Sequence, residues 1–240
     1  ASDGTNHRSG TGRSQDGTTE STCSRVSHST LAYNVRTSVT AKSATASFIT
    51  NGVRMTLTNG IATAYRAQLA AFAGADLSAA VGHILLGTGT SAITTTIGFA
   101  ADLVLFFMHD NQYDSTAATT SFVSGFGACV NDGSATQRCV MATEADNIAT
   151  QRPFMVLTTT QVMELDSSAT GAKAWGVTCG NFTATAFDVT PDASTSSFQL
   201  GYLALGLTGR TAKIVSFDTA TAAGVQSVTG AGFTPSFAII

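Results

Sequence analysis

Two similar stretches, 97–107 (IGFAADLVLFF) and 231–240 (AGFTPSFAII), determine the predicted fold of this chain. Each stretch contains a Gly-Phe pair, continues through a two-residue bend and ends in an apolar run. A glycine-marked corner followed by a short apolar run is typical of a turn that leads into a buried β-strand. The chain therefore holds two copies of one strand-opening element, and we expect the surrounding sequence to be repeated as well.

The repeat extends N-terminally from these stretches with a period of about 134 residues, which relates Phe99 to Phe233 and Val53 to Phe187. Residues 65–72 taken alone have helical spacing, which would favour a helix. Their match, 199–206, is interrupted by glycines and has weaker helical character, so we predict strands for both. A period of this length is too long for a solenoid and suits whole sandwich domains in tandem.

Turn signals separate short apolar runs through the rest of the chain. Asn51-Gly52 and the stretch 131–134 (NDGS) each predict a hairpin. Other strands are predicted at 81–86, 154–157, 161–165, 174–177, 182–189 and 212–217, with 154–157 and 161–165 forming a pair. Short strands between such turns indicate an all-β fold, which we predict to be an antiparallel β-sandwich, jelly-roll-like, with an extended N-terminal arm.

The composition and the repeat divide the chain into four predicted parts. Residues 1–29 are polar and predict an extended arm that lies on neighbouring subunits. Residues 30–79 predict strands related to the end of a module, and 80–208 predict a complete β-sandwich module. Residues 211–240 predict the opening strands of a second module or a complementing strand.

The last of these parts supplies the predicted interaction residues, which are Phe233, Pro235, Phe237, Ile239 and Ile240. An apolar strand that is left with an open edge aggregates, so we expect these residues to be covered. Two explanations remain open at this stage. The terminal strands pack with 45–79, inside the chain or across a subunit boundary, or the chain is a fragment of a longer protein.

Charge is scarce, because charged residues make up only 11% of the chain, against about 25% in ordinary soluble domains. The net charge of -3 comes without a basic block, so we expect no nucleic-acid partner. The sequence has no apolar run of about 20 residues, so we expect no membrane span. A surface of Ser and Thr gains little solubility from charge and suits packing against copies of the same chain.

No catalytic motif is present: the sequence lacks a G-x-S-x-G elbow, a P-loop, an H-E-x-x-H pair and an EF-hand loop. We therefore expect no enzyme activity, no cofactor and no metal site. One loop, 109–114 (HDNQYD), offers His109, Asp110 and Asp114 to an ion or a sugar, and the alternative is a solvated turn.

Two cysteines and two aromatic residues can each be interpreted in two ways. Cys129 and Cys139 flank the turn at 131–134, where they could form a disulfide across the hairpin or remain two half-buried thiols. None of the four cysteines belongs to a CxxC pair, which argues against zinc. Trp175 and Tyr202 could form a carbohydrate platform or belong to the core.

The C-terminal part also resembles a known family. The run 212–217 (AKIVSF), a Thr/Ala/Gly loop and 226–240 (QSVTGAGFTPSFAII) resemble a GFxP-type strand repeat of phage-encoded virion structural proteins with tandem all-β modules. The segment 124–127 (SGFG) resembles a motif from the middle of such a module. The first copy departs from the pattern, because Ala100-Ala101 stands where the second copy has Thr234-Pro235.

The resemblance implies a structural role in a particle, as a capsid decoration, tail or fibre subunit that self-assembles with its own copies and other structural subunits. It implies a location in the virion or outside the cell, and it carries over no catalytic residue. Two other functions remain open. One is a carbohydrate-binding or host-attachment module that binds a glycan at the 109–114 loop, and the other is an extracellular filament or sheath subunit.

Overall fold

The computed structural model describes residues 1–3, 5–13, 23–28, 33–36, 41–59, 71–109, 116–119, 121–145, 154–166, 172–193, 198–218, 221, 223–236 and 238. The regular structure in these residues is entirely β-strand, as predicted. The strands are, in chain order, β1 (Ser9–Arg13), β2 (Cys23–His28), β3 (Tyr33–Arg36), β4 (Ala41–Ile49), β5 (Gly52–Asn59), β6 (Leu77–Leu86), β7 (Ile93–Thr96), β8 (Leu103–His109), β9 (Thr116–Thr119), β10 (Ser121–Val130), β11 (Thr136–Ala145), β12 (Phe154–Thr158), β13 (Met163–Asp166), β14 (Lys173–Gly180), β15 (Ala186–Pro191) and β16 (Phe198–Leu207).

Two antiparallel sheets form a β-sandwich, which confirms the predicted fold class. The larger sheet has six strands in the order β12-β11-β10-β8-β16-β6, and the smaller has four in the order β13-β14-β15-β7. β8, which follows the first Gly-Phe pair, lies between β10 and β16 and is therefore inside the larger sheet. Both predicted hairpins are present, and the one at 131–134 connects β10 and β11. The turn predicted at Asn51-Gly52 lies one residue earlier, at Thr50-Asn51, because Gly52 of β5 already pairs with Ile49.

Aromatic side chains from both sheets meet in the core. Phe187 of the smaller sheet contacts Phe106 of β8 edge-on, with ring centroids 6.1 Å apart. It contacts Tyr202 of β16 in the same way at 5.5 Å. Phe106 and Phe187 are fully buried, and alternate residues of their strands line the same interior. Burial of such large side chains is the main favourable term that holds the two sheets together.

β10 passes very close to the chain segment between β12 and β13. A Cβ atom at Gly127 of β10 would overlap the carbonyl oxygen of Val162. Val162 is fully buried, and its amide donates to the carbonyl of Val177 at 2.9 Å. Only a residue without a side chain fits between the backbones at this point.

The same segment corrects one prediction. The strands at 154–157 and 161–165 exist, but they belong to different sheets instead of forming a pair. The reason is that Val162 enters the core between them, so the chain crosses from β12 in the larger sheet to β13 in the smaller one.

The N-terminal residues fold onto their own chain. β2 pairs with β1 on one side and with β9 on the other in a small sheet, and a separate sheet has the order β3-β4-β5. The described part of the predicted arm therefore contains strands, and Asp3 and Arg8 form hydrogen bonds with β6 of the same chain. The other expectation for this region, a strand at 65–72, lies largely outside the described residues.

The C-terminal segment forms no strand within the described chain. Residues 212–217 were expected to form a strand, yet residues 208–218 and 223–236 form no β-strand. The strand expected after Gly232 reaches into residues that are not described, so it stays a prediction, as does a complementing strand. β16, the strand that precedes this segment, gives it no place to pair. It already pairs with β6 on one side and with β8 on the other, so the six-stranded sheet offers no free edge beside it. A segment with strand-like sequence becomes a strand only where a partner edge is available.

We predict that Gly127→Ala destabilises the fold by about 3 kcal/mol, since the added methyl group forces the two sheets apart. The matched control is Gly87→Ala, where the new Cβ has no atom within 4 Å. That control should change the free energy of unfolding by less than about 0.5 kcal/mol. Urea denaturation followed by tryptophan fluorescence measures both, and equal stabilities for the two variants would contradict the close approach at Gly127.

Candidate interaction surface

The outer face of the six-stranded sheet, which points away from the core, is apolar across four neighbouring strands. Phe107, Phe126, Val140 and Leu157 lie directly opposite one another on β8, β10, β11 and β12. We call these four residues the outer apolar row. Paired residues on adjacent strands point to the same face, so the row is one continuous apolar stripe.

Exposure increases along the outer apolar row towards the edge of the sheet. Phe107 is half-buried, whereas Phe126 and Val140 are exposed and Leu157 reaches 79% exposure. Met155, two residues before Leu157 on β12, is 78% exposed. Apolar side chains this exposed and this contiguous are typical of a surface that binds another molecule.

The two edge strands of the larger sheet differ in how they are covered. At β6, the Asp3 carboxylate accepts a hydrogen bond from the Val81 amide at 3.1 Å. Partial burial alone would raise the pKa of Asp3, but hydrogen bonds from Asn6, Thr5 and Val81 outweigh it and hold that pKa below its usual value. At the other edge, β12 presents Met155 and Leu157. Among the described residues, β12 is thus an edge strand with an exposed apolar face, which favours association with another chain.

A second apolar surface lies on the hairpin of β4 and β5. Met55 is 43% exposed and Leu57 is 61% exposed, and both point to the same face as Phe48. Asn51 at the turn has a φ of 61°, the left-handed conformation that this tight hairpin requires. The hairpin therefore presents large apolar side chains from both of its strands.

The C-terminal segment runs past one end of the outer face. The Arg138 guanidinium, which lies on that face, donates from Nε to the Ser216 hydroxyl at 3.1 Å and from Nη1 to the Thr159 carbonyl at 2.8 Å. Further along, Val228, Phe233 and Pro235 are exposed. The other predicted interaction residues, Phe237, Ile239 and Ile240, lie outside the described residues, so their role stays a prediction.

The predicted ligand loop is mostly outside the described residues. His109 is the last residue of β8, and Asp110 and Asp114 fall in the part that is not described. Within the described chain, no three His, Cys, Asp or Glu side chains come together as metal ligands. Trp175 and Tyr202 are core residues: both are buried, and Trp175 stacks on Phe198 with ring centroids 5.2 Å apart. These two aromatics therefore cannot form a surface platform for a sugar.

Of the two interpretations of Cys129 and Cys139, the structure has the thiols and not the disulfide. Both thiols are free and buried, as is Cys179. The strand register explains this, because Cys129 lies opposite Gln137 while Cys139 lies opposite Gly127. The two cysteines are thus diagonal neighbours with Cα atoms about 7–8 Å apart, beyond the reach of a disulfide. The Cys129 thiol instead donates to the Cys179 carbonyl in the opposite sheet at 3.8 Å.

No family model, curated protein or solved structure matches this chain. Among the described residues, no helix is long and apolar enough to cross a membrane. The fold and its surfaces together define an antiparallel β-sandwich that exposes apolar strand faces and has no grouped metal ligands among the described residues.

Sequence reasoning did not find the outer apolar row. A signal for it was present in β8, where 103–108 (LVLFFM) is apolar at every position instead of at alternate positions. In an antiparallel sheet, such a run means that both faces of the strand meet apolar surroundings. The inner face of β8 packs in the core, and the outer face forms part of the row.

We predict that Cys129, Cys139 and Cys179 resist alkylation by iodoacetamide in the native protein and react fully in denaturant without a reductant. Burial, helped by the Glu164 carboxylate, raises the pKa of Cys139 to about 12. Burial, together with the Cys129 thiol, also raises the pKa of Cys179, so neither cysteine forms the reactive thiolate at neutral pH. Peptide mass spectrometry identifies each adduct, and a Cys129–Cys139 pair that stays unlabelled in denaturant would mean that the two are joined.

Proposed function

We propose that this chain is a structural subunit of a virion, as a capsid decoration, tail or fibre protein, and that it acts by self-assembly. The observation that carries the proposal is the outer apolar row, together with Met155 beside it on the edge strand β12. A monomer leaves these apolar side chains in water, whereas a subunit in an assembly buries them against a neighbour.

The energetics support an interface at this edge. Burial of a side chain such as Leu or Met contributes about 1.5–3 kcal/mol relative to leaving it in water. Leu157 and Met155 point to the same face of one edge strand, so a single neighbour can cover both. The backbone of β12 can also pair with a strand of that neighbour, which adds hydrogen bonds along the same line.

Composition and resemblance support the same proposal. Only 11% of the residues are charged, so few charged side chains have to be removed from water when the chain packs against others. The GFxP-type pattern in 226–240 resembles that of phage virion structural proteins. The subunit is then located in the virion, and its partners are copies of itself and other structural proteins of the particle.

We predict that Leu157→Lys combined with Met155→Lys weakens self-association at least tenfold without unfolding the chain. Each substitution places a charge on a surface that has to be buried in the assembly, while both positions are exposed in the monomer. The matched control is Thr94→Lys, an exposed position on β7, the edge strand of the smaller sheet. Sedimentation velocity over a range of concentrations measures association, and urea denaturation checks the fold.

Electron microscopy tests the particle itself. Immunogold labelling of particles from the source culture should place the chain on capsids, tails or fibres. Label on long filaments or on cell surfaces would favour a filament or sheath subunit instead. A chain that stays monomeric at all concentrations and labels no particle would overturn the proposal.

A further inference from the structure

Two strands of the small sheet β3-β4-β5 match strands of the complete sandwich. At the spacing of the repeat, β5 corresponds to β15, and β4 corresponds to β14, because Ala46 opposite Met55 matches Cys179 opposite Val189. The connection between the two strands is shorter in the hairpin, 50–51 against 181–185. In the sandwich these strands belong to a sheet with the order β13-β14-β15-β7. In the small sheet, the described strands end at β5, so the position that β7 occupies beside β15 has no described counterpart beside β5.

The side chains follow the same correspondence. Val53, Met55 and Leu57 of β5 match Phe187, Val189 and Pro191 of β15 at a spacing of 134 residues. The three residues of β15 are buried, and Phe187 and Val189 contact the larger sheet across the core. Met55 and Leu57 of β5 are exposed, whereas Ala46 and Ala44, opposite them on β4, are buried. The β5 half of this face is therefore left in solvent, whereas its counterpart on β15 is buried.

The counterpart of β7 in the second copy of the repeat is the segment 227–230 (SVTG). It is described, it forms no strand, and Val228 within it is 48% exposed. The Gly-Phe corners that follow both segments share a backbone conformation, with φ of 86° at Gly98 and 79° at Gly232. The two corners thus share this φ, whereas Gly230, the counterpart of Thr96, has a φ of 98° and has to become extended when the segment pairs.

We propose that residues 227–230 of one copy of the chain add as a strand to β5 of a second copy, in the register that β7 has on β15, and that the corner 231–232 follows them as 97–98 follow β7. In the complete module, Thr94 lies opposite Asp188, and Thr95 lies opposite Phe187. The corresponding pairs between two copies are Val228 opposite Arg54 and Thr229 opposite Val53. This inference rests on the proposed function, because it identifies which edge and which segment join two subunits. The partner is a second copy of this chain.

The corner supplies two further hydrogen bonds in this arrangement. In the complete module, the amides of Ile97 and Gly98 both donate to the Thr185 carbonyl, at 2.8 and 3.0 Å. The corresponding groups are the amides of Ala231 and Gly232 and the carbonyl of Asn51 at the tip of the hairpin. Asn51 and Gly232 are both exposed, so these groups can meet between two copies.

Within one copy, β5 pairs only with β4 among the described strands and residues 223–236 form no strand, which favours a second copy as the partner. Charge is compatible with such a contact. Residues 27–75 contain Arg36, Lys42, Arg54 and Arg66 and no acidic residue. Residues 77–208 contain ten acidic residues and three basic ones. When the segment 227–232 of one copy binds β5 of the next, the acidic module of the first copy comes near the basic hairpin of the second. Each subunit has one surface of each kind, so the same contact repeats from copy to copy.

Site-specific cross-linking between two distinguishable copies tests the proposed register. One copy carries Val228→Cys, the other carries Arg54→Cys, and the two are co-expressed with different tags and treated with a mild oxidant. Both positions are exposed, so the substitutions spare the fold. Residues directly opposite each other in an antiparallel pair have Cα atoms about 4.5–5.5 Å apart, within the range for a disulfide. We expect a covalent dimer that a reductant dissolves, with the cross-linked peptides identified by mass spectrometry.

The matched control pairs Val228→Cys with Thr56→Cys, which is exposed on β5 two residues from Arg54. We expect at least fivefold less cross-linking for this pair, and less cross-linking of Val228→Cys with Arg54→Cys at high salt.

Equal cross-linking of the two pairs would overturn the register. If the chains assemble but Val228→Cys and Arg54→Cys stay unlinked, this inference fails while the proposed function stands. A doubly substituted chain that links only within itself overturns the second copy as partner, and loss of both assembly and cross-link overturns both proposals.

Discussion

The pairing of strand edges is the constraint on which the rest of this structure depends. A strand leaves backbone amides and carbonyls unsatisfied along any edge that lacks a neighbour. β16 illustrates the consequence, because β6 and β8 occupy both of its sides and leave no place for the chain that follows. The same constraint explains why Asp3 lies beside the edge strand β6, where its carboxylate accepts a hydrogen bond from the Val81 amide. The surfaces that remain for other molecules are the strand edges and faces that the chain itself does not cover.

Much of the fold follows from the sequence, since turns and strand periodicity are local properties. The hairpin at 131–134 and the strand after Gly98 form as predicted, and the hairpin predicted at Asn51-Gly52 forms with its turn one residue earlier. What sequence alone does not determine is which strands become neighbours. Residues 154–157 and 161–165 are both strands, yet a single buried side chain, Val162, sends them to different sheets. The same limit applies to Cys129 and Cys139, whose distance depends on a register that spacing around the turn does not define.

The candidate surfaces were predicted only in part. The C-terminal interaction residues came from the repeat, and of these Phe233 and Pro235 are exposed. The outer apolar row was not predicted, because its members come from four strands and meet only through their pairing. Each member alone is an ordinary residue of a β-strand. A surface of this kind is a property of the sheet, and it becomes visible only once the strand order is known.

The contact between Gly127 and Val162 also fixes the register of β10. A strand that slips by one residue turns its inner side chains outward. Such a shift of β10 would place Phe126 or Ala128 against the Val162 carbonyl, where no side chain fits. β8, which is apolar on both faces, therefore pairs with a strand whose own position is defined. The absence of one side chain thus carries positional information that hydrophobicity alone does not.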